Sequence, residues 1–156
     1  MTPRVGQGYD IHPFSDDPDR QLILAGVTLD GPGLTGHSDA DVIAHAVTDA
    51  LLGAAGLGDI GSHFPDTDAA FAGVDSMELL ARVVLEVTGQ HVIGNVDVTV
   101  LLEAPKLAAH KAEMERRLSA VVGAPVSVKA KRGEGLGPVG RREGIACLAV
   151  ALIEPR

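Results

Sequence analysis

Alternating apolar and polar residues mark parts of the chain as strands that bury one face. The clearest stretch covers residues 92–102, where Val96, Val98 and Val100 are separated by polar residues. Because successive side chains of a strand point to opposite faces, this pattern predicts a sheet with one face on the core. Apolar runs bounded by turn residues predict further extended segments over residues 4–12, 126–131 and 145–153, and a hairpin over residues 22–29.

Apolar residues recur at helical spacing over residues 39–55, which predicts a first helix. Ser38 is its expected N-cap, since a hydroxyl there can accept a hydrogen bond from a free backbone amide. Asp39 and Asp41 then fall in the first turn, where the helix dipole favours negative charge. A glycine-rich loop is expected to follow this helix over residues 56–61.

Two more helices are predicted further along the chain. The second covers residues 75–87, because Asp75 and Glu78 are spaced as in a capping box and Gly89 provides a stop. The third covers residues 107–122 and is followed by glycine and proline. A loop over residues 133–140 then precedes the last strand.

This order of elements predicts an α+β fold, with helices packed on one face of a mostly antiparallel or mixed sheet. The length of 156 residues is that of one domain, and we expect residues 1–156 to form it. The sequence shows no internal repeat and no long linker.

Composition narrows the classes of function. A net charge of −8 argues against a nucleic-acid surface, and the low aromatic content of 3% argues against base stacking. No apolar run has the roughly 18 to 20 residues of a membrane span, and the N-terminal residues do not resemble a signal peptide. With a single cysteine, the expected location is the cytoplasm, or a plastid after loss of a transit peptide.

One group of residues suggests a metal site. Asp10 and His12 are two apart in a predicted strand and therefore leave the same face. His45 is the candidate third ligand, because Asp41, His45 and Asp49 share a predicted helix face opposite the apolar stripe. Two nitrogens and a carboxylate suit zinc with an open fourth position. The alternative is a capped strand end beside a solvated helix face.

Other polar segments could bind a phosphorylated ligand. His37 and Ser38 precede the first helix, whose N-terminal amides could bind an anion, although Ser38 could serve only as a cap. Glu134 could ligate a second metal or could lie in an exposed charged turn. Residues 58–61 and 64–68 could hold hydroxyl groups or form ordinary turns, and Pro105-Lys106 is a weak anion site. Cys147 lies in an apolar strand and is expected to be an inert core residue.

Seven ordered segments together resemble a known family. They are Gly8-Tyr9-Asp10-Ile11-His12, Gly36-His37-Ser38-Asp39-Ala40-Asp41-Val42, the helical segment from His45 to Leu52, Gly56-Leu57-Gly58-Asp59-Ile60-Gly61, Phe64-Pro65-Asp66-Thr67-Asp68, Ala104-Pro105-Lys106, and the segment from Gly140 to Ala146. The chain resembles, over essentially its whole length, the 2-C-methyl-D-erythritol 2,4-cyclodiphosphate synthases of the non-mevalonate isoprenoid pathway.

The resemblance implies roles for individual residues. Zinc would be held by Asp10, His12 and His45, of which Asp10 and His12 would also contact the substrate, and magnesium or manganese would be held by Glu134. His37 would stabilise the transition state and, with Ser38, contact the phosphates. The ribose would contact Asp59, Ile60 and Gly61. The erythritol portion would contact Phe64, Pro65, Asp66, Thr67 and Asp68. The cytidine pocket, contributed by a neighbouring subunit, would comprise Leu102, Glu103, Ala104, Pro105, Lys106, Leu107, Ala108, Ala130 and Lys131. Further substrate contacts would come from Arg132, Gly133, Glu134, Pro138 and Arg141.

The resemblance also implies an activity and an assembly. The enzyme would be a phosphorus–oxygen lyase that converts 4-diphosphocytidyl-2-C-methyl-D-erythritol 2-phosphate to 2-C-methyl-D-erythritol 2,4-cyclodiphosphate and CMP. It would be a homotrimer with active sites between subunits, in which Arg141 and Glu143 face the threefold axis. The alternatives are a zinc phosphohydrolase, in which a metal-bound water attacks, and a non-catalytic trimeric metal-binding module.

Two positions depart from the family pattern. The family usually has threonine where this chain has Arg132, and an aromatic or aliphatic residue near Pro138. A guanidinium group offers up to five donors in a planar fork that suits phosphate oxygens. We therefore hypothesise that Arg132 points at the diphosphate, has a catalytic role and replaces the lost hydroxyl contact.

Overall fold

A computed structural model describes residues 2–156, which form a four-stranded sheet, a separate two-stranded hairpin and three helices of at least twelve residues. The strands are β1 (Arg4–Pro13), β2 (Leu22–Leu24), β3 (Val27–Leu29), β4 (His91–Leu101), β5 (Val126–Lys131) and β6 (Gly144–Pro155). The helices are α1 (Val42–Ala55), α2 (Ile60–His63), α3 (Ser76–Thr88), α4 (Lys111–Val122) and α5 (Gly137–Gly140). No helix in this described range is long and apolar enough to cross a membrane.

The four-stranded sheet is mixed, as the sequence predicts. Its strand order is β1-β6-β4-β5, with β6 antiparallel to both of its neighbours and β4 parallel to β5. Asp10 pairs with Cys147, and His12 pairs with Ile145 near the start of β6. The end of β1 and the end of β5 therefore lie at the same end of the sheet but on opposite edges.

The two faces of the sheet differ in what covers them. Side chains that point towards the helices, such as Ile145, Ala149 and Ile153, are fully buried. On the other face, Tyr9 and Val150 are 55% and 44% exposed, although both are largely apolar. This distribution confirms an α+β fold with the helices on one face, and it leaves an apolar sheet face uncovered in the single chain.

Helix α1 contacts β1 through the backbone itself. A Cβ atom added at Gly8 would lie 1.8 Å from the carbonyl oxygen of Ala46, and one added at Gly6 would lie 2.0 Å from that of Ala50. Real Cβ atoms do not approach carbonyl oxygens so closely, so only glycine permits this contact. The two glycines therefore bring α1 directly onto the strand that carries Asp10.

The start of α1 differs from the prediction. Ala40 has a left-handed φ of 57°, so the chain enters the helix only at Val42. Asp41 is the N-cap, and its carboxylate accepts a hydrogen bond from the Ala44 amide at 3.0 Å. The predicted cap at Ser38 is therefore wrong, and so is the placement of Asp39 and Asp41 in the first turn, because both precede the helix.

Asp41 also differs from its predicted environment. It is fully buried and accepts hydrogen bonds from the amides of Ala25 and Gly26 at 2.9 and 2.7 Å, which fasten the β2–β3 hairpin to α1. Burial raises its pKa to about 6. We expected Asp41, His45 and Asp49 to share a polar helix face. This prediction is wrong for Asp41, which is buried and precedes the helix, whereas His45 and Asp49 lie in the helix and are half-buried.

The remaining elements follow the prediction apart from their bounds. The side chain of Asp75 caps α3 by accepting a hydrogen bond from the amide of Met77, one residue before Glu78. Helix α4 begins at Lys111, four residues later than predicted. The short helices α2 and α5 and a 3₁₀ turn over Ala69–Phe71 lie in segments predicted as loops or left unassigned, because four or fewer residues give no helical period.

We predict that Gly8→Ala separates α1 from β1 and destabilises the protein. Overpacking typically costs 1–3 kcal/mol, and we expect at least about 3 kcal/mol here because the clashing atom belongs to the backbone. Gly94→Ala is the matched control, since its added Cβ would approach Leu152 no closer than 3.4 Å. Urea unfolding of the metal-free proteins measures both, and equal free energies of unfolding for the two variants would contradict the prediction.

Candidate active site

Three residues from two elements meet at the end of β1. The ligand atoms of Asp10, His12 and His45 all lie within 4.8 Å of one another. The Asp10 carboxylate is 2.8 Å from Nε2 of His12 and 2.9 Å from Nδ1 of His45. The strand period places Asp10 and His12 on one face, and α1 brings His45 over them. The structure therefore confirms that the three predicted ligands converge.

The charges within this cluster favour an ionised carboxylate. Burial opposes ionisation of Asp10, but hydrogen bonds from His12 and His45 outweigh it and lower the pKa to about 2. Burial likewise opposes a charge on His12, but the bond to Asp10 raises the pKa of the imidazole above its usual value. Asp10 is thus a ready anionic ligand at neutral pH.

The other nitrogen of each imidazole is also hydrogen-bonded. Nδ1 of His12 lies 2.9 Å from the carbonyl oxygen of Thr35, and Nε2 of His45 lies 2.8 Å from the hydroxyl of Ser76. Metal-bound histidines almost always have such an outer partner, which fixes the ring orientation. The donor atoms and their surroundings therefore fit a divalent transition metal.

A cavity of about 450 Å³ opens in front of this cluster. It brings together many of the residues expected to contact zinc, phosphate and erythritol, whereas Asp59, Thr67 and Asp68 do not line it. Its wall also includes three residues that the sequence did not suggest, namely Gly36, Phe71 and Leu79. The predicted residues in the wall are Asp10, His12, His37, Ser38, His45, Ile60, Gly61, Phe64, Pro65 and Asp66.

His37 and Ser38 point in different directions. His37 is exposed, and its Nε2 lies 2.9 Å from the carbonyl oxygen of Asp68. Ser38 is buried, with its hydroxyl 3.1 Å from Nε2 of His45. Because α1 starts only at Val42, its N-terminus does not directly follow His37 and Ser38, and contact of these two residues with phosphate stays a prediction.

The segment expected to bind ribose is held by a residue of α1. Asp49 accepts a hydrogen bond from the amide of Ile60 at 2.7 Å, which ties the start of α2 to α1. Asp59 caps α2 and accepts two bonds from Ser62, and these bonds lower its pKa. The helical spacing of Asp49 from His45 was the only sequence signal for this positioning role.

A second cavity of about 440 Å³ lies at the end of β5. Its wall contains all nine residues expected to form the cytidine pocket, together with Arg132 and the unpredicted Arg142. Gly133, Glu134, Pro138 and Arg141 do not line it. The nine are Leu102, Glu103, Ala104, Pro105, Lys106, Leu107, Ala108, Ala130 and Lys131.

Arg132 is paired within the chain. Its Nε lies 3.5 Å from the carboxylate of Glu103, which is only 7% exposed and also accepts a bond from the amide of Gly133 at 2.5 Å. The Arg132 side chain is 64% exposed. It therefore lies at the mouth of the second cavity with room to turn.

Two other predictions have different outcomes. Cys147 is buried, and burial raises the pKa of its thiol well above the usual range, as expected for an inert core residue. Glu134 is exposed, with a left-handed φ of 55°, and belongs to no group of potential ligands among residues 2–156. Its role as a ligand of magnesium or manganese stays a prediction.

The two cavities share no wall residue and lie on opposite edges of the sheet. The Asp10 cluster is on β1, whereas the second cavity adjoins β5, and two strands lie between them. Three strand spacings correspond to about 14 Å. One chain thus presents two separate cavities.

Comparison with known proteins places the chain in a family. The model of the YgbB family matches residues 3–154. The chain belongs to the YgbB family. It is 52% identical, over 98% of its length and 86% of the relative's, to the 2-C-methyl-D-erythritol 2,4-cyclodiphosphate synthase of Verminephrobacter eiseniae. It is 51% identical to the bifunctional enzyme IspD/IspF of Anaeromyxobacter dehalogenans, matching 96% of this chain but only 39% of that longer protein.

Solved structures give the same result. The YgbB-family chain superposes with a TM-score of 0.85 on IspF from Plasmodium falciparum in complex with CDP. The two are 34% identical, and the match covers 99% of this chain and 97% of the other. These findings confirm the family resemblance drawn from the sequence.

We predict that His45→Ala abolishes metal binding by the YgbB-family chain, because two ligands cannot replace the three that converge on one point. Each parent chain should retain one zinc ion after dialysis, as measured by elemental analysis. His91→Ala, at the far end of β4, is the matched control and should retain the metal. Full zinc occupancy in His45→Ala would contradict the assignment of the ligands.

Proposed function

We propose that this chain is a 2-C-methyl-D-erythritol 2,4-cyclodiphosphate synthase. It would act on 4-diphosphocytidyl-2-C-methyl-D-erythritol 2-phosphate and release CMP, as a phosphorus–oxygen lyase in the cytoplasm. The observation that carries the proposal is the metal-ligand triad facing a cavity in a chain that is 52% identical to a protein of that name.

We propose zinc as the metal at Asp10, His12 and His45. Two imidazoles and one carboxylate are a common ligand set for zinc sites that keep an open position. When bound there, zinc would act as a Lewis acid towards a phosphate oxygen. Glu134 remains the proposed ligand of magnesium or manganese, supported by its exposure and by its position two residues after Arg132, which lines the second cavity.

The reaction would need no nucleophile from the protein. An oxygen of the substrate's 2-phosphate attacks the β-phosphorus, an eight-membered ring closes, and the bond to CMP breaks. The protein's task would be to hold the two phosphates together, and such orientation can contribute roughly 7–11 kcal/mol to an intramolecular reaction. His37 would contact the phosphates from the cavity wall, and the segment from Phe64 to Asp68 would hold the erythritol hydroxyl groups.

The second cavity is the proposed nucleotide half-site. Its wall combines the segment 102–108 with four cationic residues, Lys106, Lys131, Arg132 and Arg142. A base can bind to backbone groups, while a diphosphate needs positive charge. The related structure from Plasmodium falciparum is a complex with CDP, which supports a cytidine nucleotide as part of the ligand of this chain.

We propose that the active site forms between subunits of a homotrimer. The half-sites lie on opposite edges of one sheet, at the same end, so one chain cannot bring them together. A head-to-tail cyclic arrangement places the β1 edge of one copy against the β5 edge of the next. The exposed apolar side chains of Val5, Tyr9, Ile11 and Val150 on the uncovered sheet face support burial within such an assembly.

The proposed reaction is tested by incubating the protein with the cytidyl substrate, zinc and magnesium, followed by analysis of the nucleotide and phosphate products. We expect one CMP and one cyclic diphosphate for each substrate consumed. Inorganic phosphate or a linear diol phosphate would instead indicate a phosphohydrolase. No turnover by the metal-loaded protein would indicate a non-catalytic module.

Arg132 is proposed to leave Glu103 and contact the diphosphate. We predict that Arg132→Ala lowers kcat/KM. The decrease should correspond to a loss of about 1.5–3 kcal/mol of transition-state stabilisation, as expected for one charge-assisted hydrogen bond. Arg132→Thr should retain substantial activity, because it restores a hydroxyl. Arg116→Ala is the control, since Arg116 is exposed and paired with Glu113 on α4. Unchanged kinetics in Arg132→Ala would exclude a catalytic role for the guanidinium group.

A further inference from the structure

The nitrogen of His45 that faces away from the metal cluster lies among buried polar groups. Its Nε2 is 2.8 Å from the hydroxyl of Ser76 and 3.1 Å from that of Ser38. Ser76 is the first residue of α3 and is fully buried. Its hydroxyl makes a short hydrogen bond to the carboxylate of Asp39, in the segment before α1. A continuous chain of contacts thus runs from His45 through Ser76 to Asp39.

The direction of these hydrogen bonds follows from the groups involved. The Asp39 carboxylate also lies 3.2 Å from the amide of Ser76 and 3.1 Å from that of Asp41, so it accepts bonds from both. The hydroxyl of Ser76 donates to the same carboxylate, so its single proton points at Asp39. The lone pairs of the Ser76 hydroxyl are then left for His45, whose Nε2–H must be the donor.

This direction decides which nitrogen His45 can offer to a metal. With a metal bound, a neutral imidazole carries one proton, and the Ser76 hydroxyl would hold that proton on Nε2. Nδ1, which lies 2.9 Å from the Asp10 carboxylate and donates to it when no metal is bound, would then offer its lone pair to the metal. His12 achieves the same result with a backbone carbonyl, that of Thr35, so only His45 depends on side chains for its orientation.

We propose that Ser76 and Asp39 are positioning residues, which hold His45 in the ring orientation and tautomer that bind the metal. The proposal rests on the metal site of the proposed function, and it adds α3 to the elements on which that site depends. Neither residue is among the metal ligands, and both act only through His45.

The expected effect is a weaker metal site. Loss of an outer hydrogen-bond partner typically lowers metal affinity 10–100-fold. We expect Ser76→Ala to weaken zinc binding by about that factor, because Nε2 loses its nearer partner at 2.8 Å and keeps only the Ser38 hydroxyl at 3.1 Å, which has no link to Asp39 through Ser76 in that variant. Asp39→Asn should have a smaller effect, since its amide oxygen can still accept from Ser76 but lacks the negative charge.

Two measurements on the full chain test the proposal. Competition with a chromophoric chelator at a fixed neutral pH gives the zinc dissociation constant. Nitrogen-15 NMR of the histidine rings in the zinc-loaded protein reports the Nε2–H proton of His45. That proton should exchange slowly with water in the parent and rapidly in Ser76→Ala, and a purely structural role for Ser76 would not change it selectively.

Thr48→Val is the matched control. Thr48 is a fully buried residue of α1 whose hydroxyl donates to the carbonyl oxygen of Ala44, one turn away. The Thr48→Val variant loses a buried hydroxyl close in sequence to His45, but that hydroxyl does not contact the metal ligands. This variant should therefore bind zinc like the parent. Thermal unfolding of the metal-free proteins checks that the variants fold, and Asp39→Asn decides the question if Ser76→Ala does not.

Parental zinc affinity in the Ser76→Ala and Asp39→Asn variants that fold would overturn the proposal. An equal loss of affinity in Thr48→Val would overturn it too, because the effect would then be general destabilisation. Failure of the parent to bind zinc is a different result, since it would reject the metal site of the proposed function itself.

Discussion

The candidate metal site depends on direct backbone contact between α1 and β1. Gly8 and Gly6 allow that contact, which would otherwise be blocked by a Cβ atom 1.8 or 2.0 Å from a carbonyl oxygen of α1. Relief of such a clash requires a shift on the order of an ångström, whereas metal–ligand distances vary by only about 0.2 Å. Two glycines without any chemistry of their own therefore determine whether His45 reaches Asp10 and His12.

Charge is divided unequally between the two half-sites. The cavity at the end of β1 contains carboxylates and histidines but no lysine or arginine, and the chain as a whole carries a net charge of −8. The cavity at the end of β5 is lined by Lys106, Lys131, Arg132 and Arg142. A ligand with several phosphates needs positive charge along its whole length, so the first half-site requires a metal ion while the second can rely on side chains. This difference gives a physical reason for a site that spans two copies of the chain.

Local patterns in the sequence were enough to predict the strands and to suggest the group of Asp10, His12 and His45, whereas the other site residues came from the family resemblance. Alternation located β4, and the two-residue spacing of Asp10 and His12 placed them on one face. The first residue of α1 could not be predicted from such patterns, because Ser38, Asp39 and Asp41 are all acceptable N-cap residues. Only the left-handed backbone of Ala40 decides between them. Roles that depend on contacts between distant segments, such as Asp41 with the hairpin, Ser76 with His45 and Arg132 with Glu103, leave no periodic signal.

The most direct test of the account is complementation between two inactive variants. His45→Ala removes the metal half-site, and the double variant Lys106→Ala/Arg132→Ala impairs the nucleotide half-site of the other edge. If active sites combine the two edges of neighbouring chains, co-refolded 1:1 mixtures should regain about one quarter of the parental CMP release, since random mixing restores about that fraction of sites. Activity no greater than the sum of the separate variants, in mixtures shown to contain both chains in one assembly, would contradict a shared active site.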